Sequence, residues 1–279
     1  MTHTLPSLRE SIRAHGLDAR KSLGQHFLLD PSVCARIASL GGSLAGRHIV
    51  EVGPGPGGLT RALLDSQASS LHAIEVDERA WPLLEELREH YGPRLSIVPQ
   101  DALRIDATSL GPAPRQIIAN LPYNVATPLL VSWLRQASEW ERLVLMFQKE
   151  VAERVCAAPN SSAYGRLAVL AQWCADCSIG MTLPPGAFFP PPKVHSAVAV
   201  LVPHAQQPSR PLFKAMEQVT AAAFGQRRKM LRTALKPIGG LSLLEEADIL
   251  PTRRAETLSV SEFDRLARCH LARQQKTGG

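Results

Sequence analysis

The sequence predicts an α/β protein, a parallel sheet with helices on both faces, followed by a small all-α domain. Three observations carry this. Short apolar runs alternate with helix-like stretches through the first half of the chain. A proline-dense stretch over 183–192 then breaks the alternation. Beyond it only short helical patterns remain, and the excess positive charge is confined there.

The elements follow in order. Asp30 and Pro31 make a good helix start, because Asp can cap free N–H groups and Pro suits the first helical position. Val33, Ile37 and Leu40 follow at helical spacing. Strands are predicted at 48–52, 71–76, 95–98, 116–119 and 143–147, with helices at 59–64 and 78–90. Apolar strands joined by helices imply a sheet buried on both faces. Such sheets gather ligands at the carboxyl ends of their strands. The stretch 183–192 cannot be a helix interior, since proline lacks the donor and clashes with the preceding turn, so it is a stiff loop. Residues 194–202 alternate like a last strand. After a linker at 203–211, helices are predicted at 213–224, 227–235, 243–247 and 261–270. The expected division is 1–203, with 1–29 an N-terminal segment, and 204–279.

Composition bounds the function. At 45% hydrophobic and 20% charged, disorder and collagen-like order are excluded. No apolar run approaches the roughly 18–20 residues that span a bilayer. The polar start lacks the apolar centre of a signal peptide. Five cysteines, sparse and odd in number, point to a reducing cytoplasm. Residues 1–203 hold 18 Lys and Arg against 18 Asp and Glu, while residues 204–279 hold 13 against 7. The whole net charge of +6 therefore sits in the last part. A neutral body with a basic appendage suggests a polyanionic partner.

Glu51-Val52-Gly53-Pro54-Gly55-Pro56-Gly57-Gly58-Leu59-Thr60 reads as a strand end, a glycine turn and a helix start. Glycine lets the backbone turn and lets a ligand approach closely. The run also satisfies the dinucleotide fingerprint, with Glu75 at the end of the next strand to hold a ribose. Glu51 two residues ahead of the first glycine, and the stiffening Pro54 and Pro56, favour S-adenosylmethionine (SAM). Asp101, after the third strand, can accept from an adenine amino group. Glu75 and Asp101 would each pass alone for a cap or a solvated carboxylate. Three successive strand ends make the cofactor reading the stronger.

Asn120-Leu121-Pro122-Tyr123 ends a further apolar strand. The N6 lone pair of adenine is delocalised into the ring, which makes the amine a poor nucleophile. A site accepting both amine hydrogens frees that pair. The Asn120 side-chain oxygen and the Leu121 carbonyl are candidate acceptors, Pro122 holds the turn, and Tyr123 offers a ring for stacking. No strong general base is required, because alignment with a good leaving group does most of the work.

These residues resemble the ribosomal-RNA adenine N6,N6-dimethyltransferases over nearly the whole chain. Lys21–Leu28 is similar to that family's N-terminal motif, Glu51–Thr60 to its cofactor loop and Asn120–Asn124 to its catalytic motif. Phe188–Val194 is similar to its late loop, and Phe224–Arg232 to its C-terminal basic signature. The resemblance implies a Rossmann-like SAM-dependent methyltransferase domain with a small C-terminal all-α domain. It implies dimethylation of two adjacent adenosines in the 3′-terminal hairpin of 16S rRNA, with the small ribosomal subunit as partner; a monomer is expected. Cofactor contacts carry over to His26, Leu28, Gly53, Glu75, Asp101 and Asn120, and target contacts to Asn120, Leu121, Tyr123 and Phe188. His26 stands where the family often has Asn, which leaves open whether it acts by side chain or backbone. Large-subunit rRNA or DNA adenine would be other targets for the same chemistry. An assembly factor without turnover is a reading of a different class, and the intact Asn-Leu-Pro-Tyr speaks against it.

Phe188, framed by prolines, is expected to stack the extruded base opposite Tyr123. Arg227, Arg228, Lys229 and Arg232, with Lys236 beyond, are expected to open a helix and meet RNA phosphate, helped by Arg9, Arg13, Arg20 and Lys21. Cys174 and Cys177 have no second pair at zinc spacing and read as core cysteines; no metal is expected.

Overall fold

The computed structural model describes residues 5–17 and 25–277. The N-terminal motif is thus described only from Gln25 onward, and the expected RNA contacts Arg20 and Lys21 lie outside the described residues.

The chain divides into two compact units. The first runs to Ser132 and adds Ser138–Ala152 and Ser178–Val202; the second takes Trp133–Ala137, Glu153–Cys177 and Pro203 onward. This corrects the linear boundary at 203/204, which assigned residues 133–137 and 153–177 to the first domain.

The first unit begins with α1 (Leu8–Ala14), closed by a capping box between Ser7 and Glu10. Then come β1 (Phe27–Leu28), α2 (Pro31–Ser39), β2 (His48–Val52), α3 (Gly58–Leu64), β3 (Ser70–Ile74), α4 (Trp81–Tyr91), β4 (Leu95–Val98) and β5 (Arg115–Asn120). Asp30 caps α2 as expected, accepting from the Ser32 N–H at 2.8 Å. Along the chain follow α5 (Ala126–Leu134), β6 (Arg142–Gln148), α6 (Lys149–Val155), α7 (Arg166–Cys174), which belongs to the second unit, β7 (Ala175–Leu183), β8 (Phe188–Phe189) and β9 (Ser196–Pro203). Seven strands form one sheet in the order β4-β3-β2-β5-β6-β9-β7. The pairs from β4 to β6 are parallel, and β9 runs antiparallel to β6. Ile49, Leu71, Ile118, Val144 and Val198 from the strands are buried with Ile37, Leu63 and Leu84 from the helices. Burial on both faces explains why these strands read as continuous apolar runs. β7 gave no such signal: it is the end strand of the sheet, and its alternate positions are exposed. β1 and β8 make a separate two-stranded ribbon.

The second unit is helical: α7, then α8 (Arg210–Gly225), α9 (Leu231–Ala234), α10 (Gly240–Glu246) and α11 (Val260–Thr277). Its aromatic residues explain why 153–177 belongs there. Tyr164 meets Phe224 edge-on, Phe224 stacks on Phe263 at 5.5 Å, and Trp173 lies 5.9 Å from Phe213. The Trp173 indole also donates to Asp264 at 3.1 Å. The helix expected over 227–235 is not continuous. α8 ends at Gly225, a turn follows, and α9 starts only at Leu231. Three adjacent cations with no acidic partner one turn away give that stretch little helical support.

Candidate functional site

The carboxyl ends of β2, β3 and β5 open on one cavity. His26, Gly53, Glu75, Asp101, Asn120 and Tyr123 all line it. The predicted cofactor and amine residues, apart from Phe188, are therefore brought together. Leu28 and Leu121 also border it, both largely buried.

The glycine turn is shaped for close approach. Gly53 has φ 69°, and a Cβ there would lie 3.2 Å from the Pro122 ring. At Gly58 a Cβ would come within 2.4 Å of the Leu28 carbonyl. Only glycine lets β1, the turn and the Asn120–Tyr123 segment pack so tightly.

Two buried carboxylates face the cavity. Glu75 is 5% exposed and held by two backbone donors, the Gly55 N–H at 3.0 Å and the Asp77 N–H at 2.8 Å. Burial nevertheless pushes its carboxyl above the ordinary value. Glu51 is 1% exposed and accepts from the Thr60 hydroxyl at 2.7 Å. Burial pushes the Glu51 carboxyl up to about 8; the Thr60 bond opposes this and the Glu75 charge adds to it. This pair of buried acceptors discriminates between cofactors. A pyrophosphate would bring negative charge against two desolvated carboxylates. A sulfonium with an α-ammonium group and a ribose diol supplies positive charge and donors instead, so the residues fit SAM. Asp101 accepts from the Leu103 N–H at 2.9 Å, a turn cap at the cavity rim.

At the end of β5 the Asn120 side chain donates from Nδ2 to the His26 carbonyl at 3.1 Å. A carbonyl only accepts, so the amide is oriented with Oδ1 left to accept from another donor. The His26 ring has a second task. Its Nδ1 donates to the Pro190 carbonyl at 2.8 Å, tying β1 to the late loop. His26 thus uses both backbone and side chain. Tyr123 is fixed twice: its hydroxyl is hydrogen-bonded to Ser196 at 2.7 Å, and its ring lies 5.6 Å from that of His26. Burial raises the Tyr123 phenol above its ordinary value, and the Ser196 bond offsets part of this. Ser196 had no sequence signal, since it acts across the sheet. Gln25, which donates to Asp77 at 2.7 Å, was legible only as part of a motif.

Phe188 is a correction. Its ring is 4% exposed and belongs to the core with Leu28 and Val198. It does not line the cavity, and a stacking role would require it to leave that core.

In the helical unit Arg227, Arg228, Lys229, Arg232 and Lys236 are all exposed. Arg227 donates to the Ser162 carbonyl at 2.8 Å. Among the described residues no carboxylate pairs with the other four. Four of the seven acids of residues 204–279 are paired with other cations: Glu217 with Arg135 and Arg166, Glu246 with Arg273, Glu262 with Arg253 and Asp264 with Arg268. All five cysteines are free, and burial pushes Cys174 up to about 12. Among the described residues no cluster of metal-ligating side chains occurs, and no helix is long and apolar enough to cross a membrane.

The family model described as "Ribosomal RNA adenine dimethylase" matches residues 16–270. A Gluconobacter oxydans protein named ribosomal RNA small subunit methyltransferase A is 74% identical over 96% of this chain and 89% of that one. Its namesake from Paramagnetospirillum magneticum is 54% identical, covering 96% of both chains. Among solved structures, a dimethyladenosine transferase from Plasmodium falciparum aligns with a TM-score of 0.76 at 24% identity. That alignment covers 91% of this chain and 98% of the other, and at that identity it speaks for the fold.

Proposed function

The chain belongs to the ribosomal RNA adenine dimethylase family, and within it we propose that this enzyme dimethylates N6 of two adjacent adenosines in the 3′-terminal hairpin of 16S rRNA. The name of its close relatives supports the small subunit as its substrate particle. It acts as a single chain in the cytoplasm, during ribosome assembly.

One observation carries the chemistry: the amide of Asn120 is oriented by the His26 carbonyl, beside the glycine turn. SAM supplies an electrophilic methyl group on a sulfonium, a good leaving group. The residues of this chain do the rest. Glu75 would accept from the ribose, Glu51 would face the cationic amino-acid portion, and His26, Leu28, Gly53 and Asp101 would complete the cofactor's surroundings. Asn120 Oδ1 and the Leu121 carbonyl accept the two amine hydrogens, which directs the N6 lone pair outward. Pro122 holds the turn against Gly53, and the Tyr123 ring supports the extruded base. The surplus N6 proton leaves to solvent after transfer. Arg228, Lys229 and Arg232 contact RNA phosphate, with Arg227 fixed at their edge.

The test incubates the protein with methyl-labelled SAM and under-methylated small subunits. Label is expected in N6,N6-dimethyladenosine at two neighbouring positions, and Asn120→Ala is expected to slow its appearance by about 10²–10³-fold. Label elsewhere, or none, overturns the assignment.

A further inference from the structure

The late loop carries a second aromatic ring that the cofactor and amine sites leave unused. β1 and β8 pair antiparallel, with Phe27 opposite Phe189 and Leu28 opposite Phe188. Directly opposite residues share a face of the ribbon. One face carries Leu28 and Phe188, both in the core. The other carries Phe27 and Phe189. Phe27 is buried with its ring against the glycine turn, 3.1 Å from where a Cβ of Gly55 would stand. Phe189 is 54% exposed.

A singly exposed apolar residue is ordinary. Phe189 differs in how it is framed. Its backbone is pinned by the ribbon on one side. On the other, the carbonyl of the next residue, Pro190, accepts from the His26 ring. His26 in turn holds Asn120 through its carbonyl and faces the Tyr123 ring. An aromatic face in water therefore stands beside Phe27, which lines the cavity, and one residue from the carbonyl that the His26 ring grips.

Extruding a base removes a stacking partner from its neighbour. An aromatic platform can restore it, and such stacking tolerates any base. We infer that Phe189 stacks the nucleotide next to the extruded adenosine, so that Tyr123 receives the target and Phe189 its neighbour. This rests on the dimethylase reading. For two adjacent adenosines, the neighbour held on Phe189 is the other methylation target when one of the two is extruded and a flanking nucleotide when the other is. Phe189 then fixes position along the strand and carries no base identity.

The experiment uses small subunits reconstituted with 2-aminopurine immediately 5′ or 3′ of a target adenosine. They are bound by the protein loaded with S-adenosylhomocysteine. Quenching is expected at one of the two positions with the native protein, absent with Phe189→Ala and restored with Phe189→Tyr. Phe189→Ala is also expected to raise KM for subunits at least fivefold through lost stacking, with SAM affinity and melting temperature unchanged. Wild-type fluorescence and KM in Phe189→Ala, or failure of Tyr to rescue, overturns the inference. Failure of the dimethylase reading would look different, because the native protein would then transfer no methyl to adenine.

Discussion

The side-chain amide of Asn120 donates to the backbone carbonyl of His26 at 3.1 Å, which leaves Oδ1 as the free acceptor of that amide. Asn120→Ala is expected to lower kcat by about 10²–10³-fold, the usual cost of losing one placed polar contact to the reacting group. Asn120→Asp should be as damaging, because a carboxylate cannot donate to His26. His26→Asn keeps the carbonyl and a donor for Pro190, so its rate should stay within severalfold of the native enzyme. Single-turnover methyl transfer checks all three. A His26→Asn loss as large as that of Asn120→Ala would show that the imidazole itself is needed.

Glu51 gives a pH dependence with a definite sign. Its carboxyl is raised from about 4.5 to about 8 by burial, so the folded protein binds a proton that the unfolded chain releases. Stability of the SAM-free protein should therefore fall as pH rises between these values. Glu75, also raised by burial, adds to the same slope. Binding a cationic cofactor should expel the Glu51 proton. Calorimetry near pH 7 in buffers of different ionisation enthalpy should show proton release. Glu51→Gln should reduce both the release and the stability slope.

Phe188 separates packing from stacking. A buried phenylalanine cut to alanine costs about 3–5 kcal/mol. Denaturant unfolding of Phe188→Ala should show a loss of that size, and Phe188→Leu much less. Full stability with lost activity would return the ring to the target base.

The basic turn makes a prediction about salt. Each phosphate contact adds about 0.7–0.9 to the slope of log K against log salt concentration. Replacing Arg228, Lys229 and Arg232 by Ala should reduce the slope for subunit binding by about 2–3, with SAM affinity unchanged. An unchanged slope would mean a solvated face only.

Much of the first unit was legible because the sheet is buried on both faces, which writes each strand as an apolar run between turn signals. β7 was not, since an end strand with exposed alternate positions needs no such run. The helical unit was misdivided for a related reason. Tyr164 and Trp173 look like any core aromatics until Phe224, Phe263 and Phe213 are placed against them.

The site divides in the same way. The sequence by itself determined the glycine turn, the acidic residues at successive strand ends, the Asn-Leu-Pro-Tyr segment after β5 and the +6 charge confined to residues 204–279. These are local, written in residue type and spacing. Only the tertiary structure decided that the amide of Asn120 is turned by His26, that Ser196 holds Tyr123, and that Phe188 is in the core while Phe189 is exposed. Each of those depends on a partner distant in the chain or on which face of a two-residue ribbon meets the core, and spacing along the chain records neither.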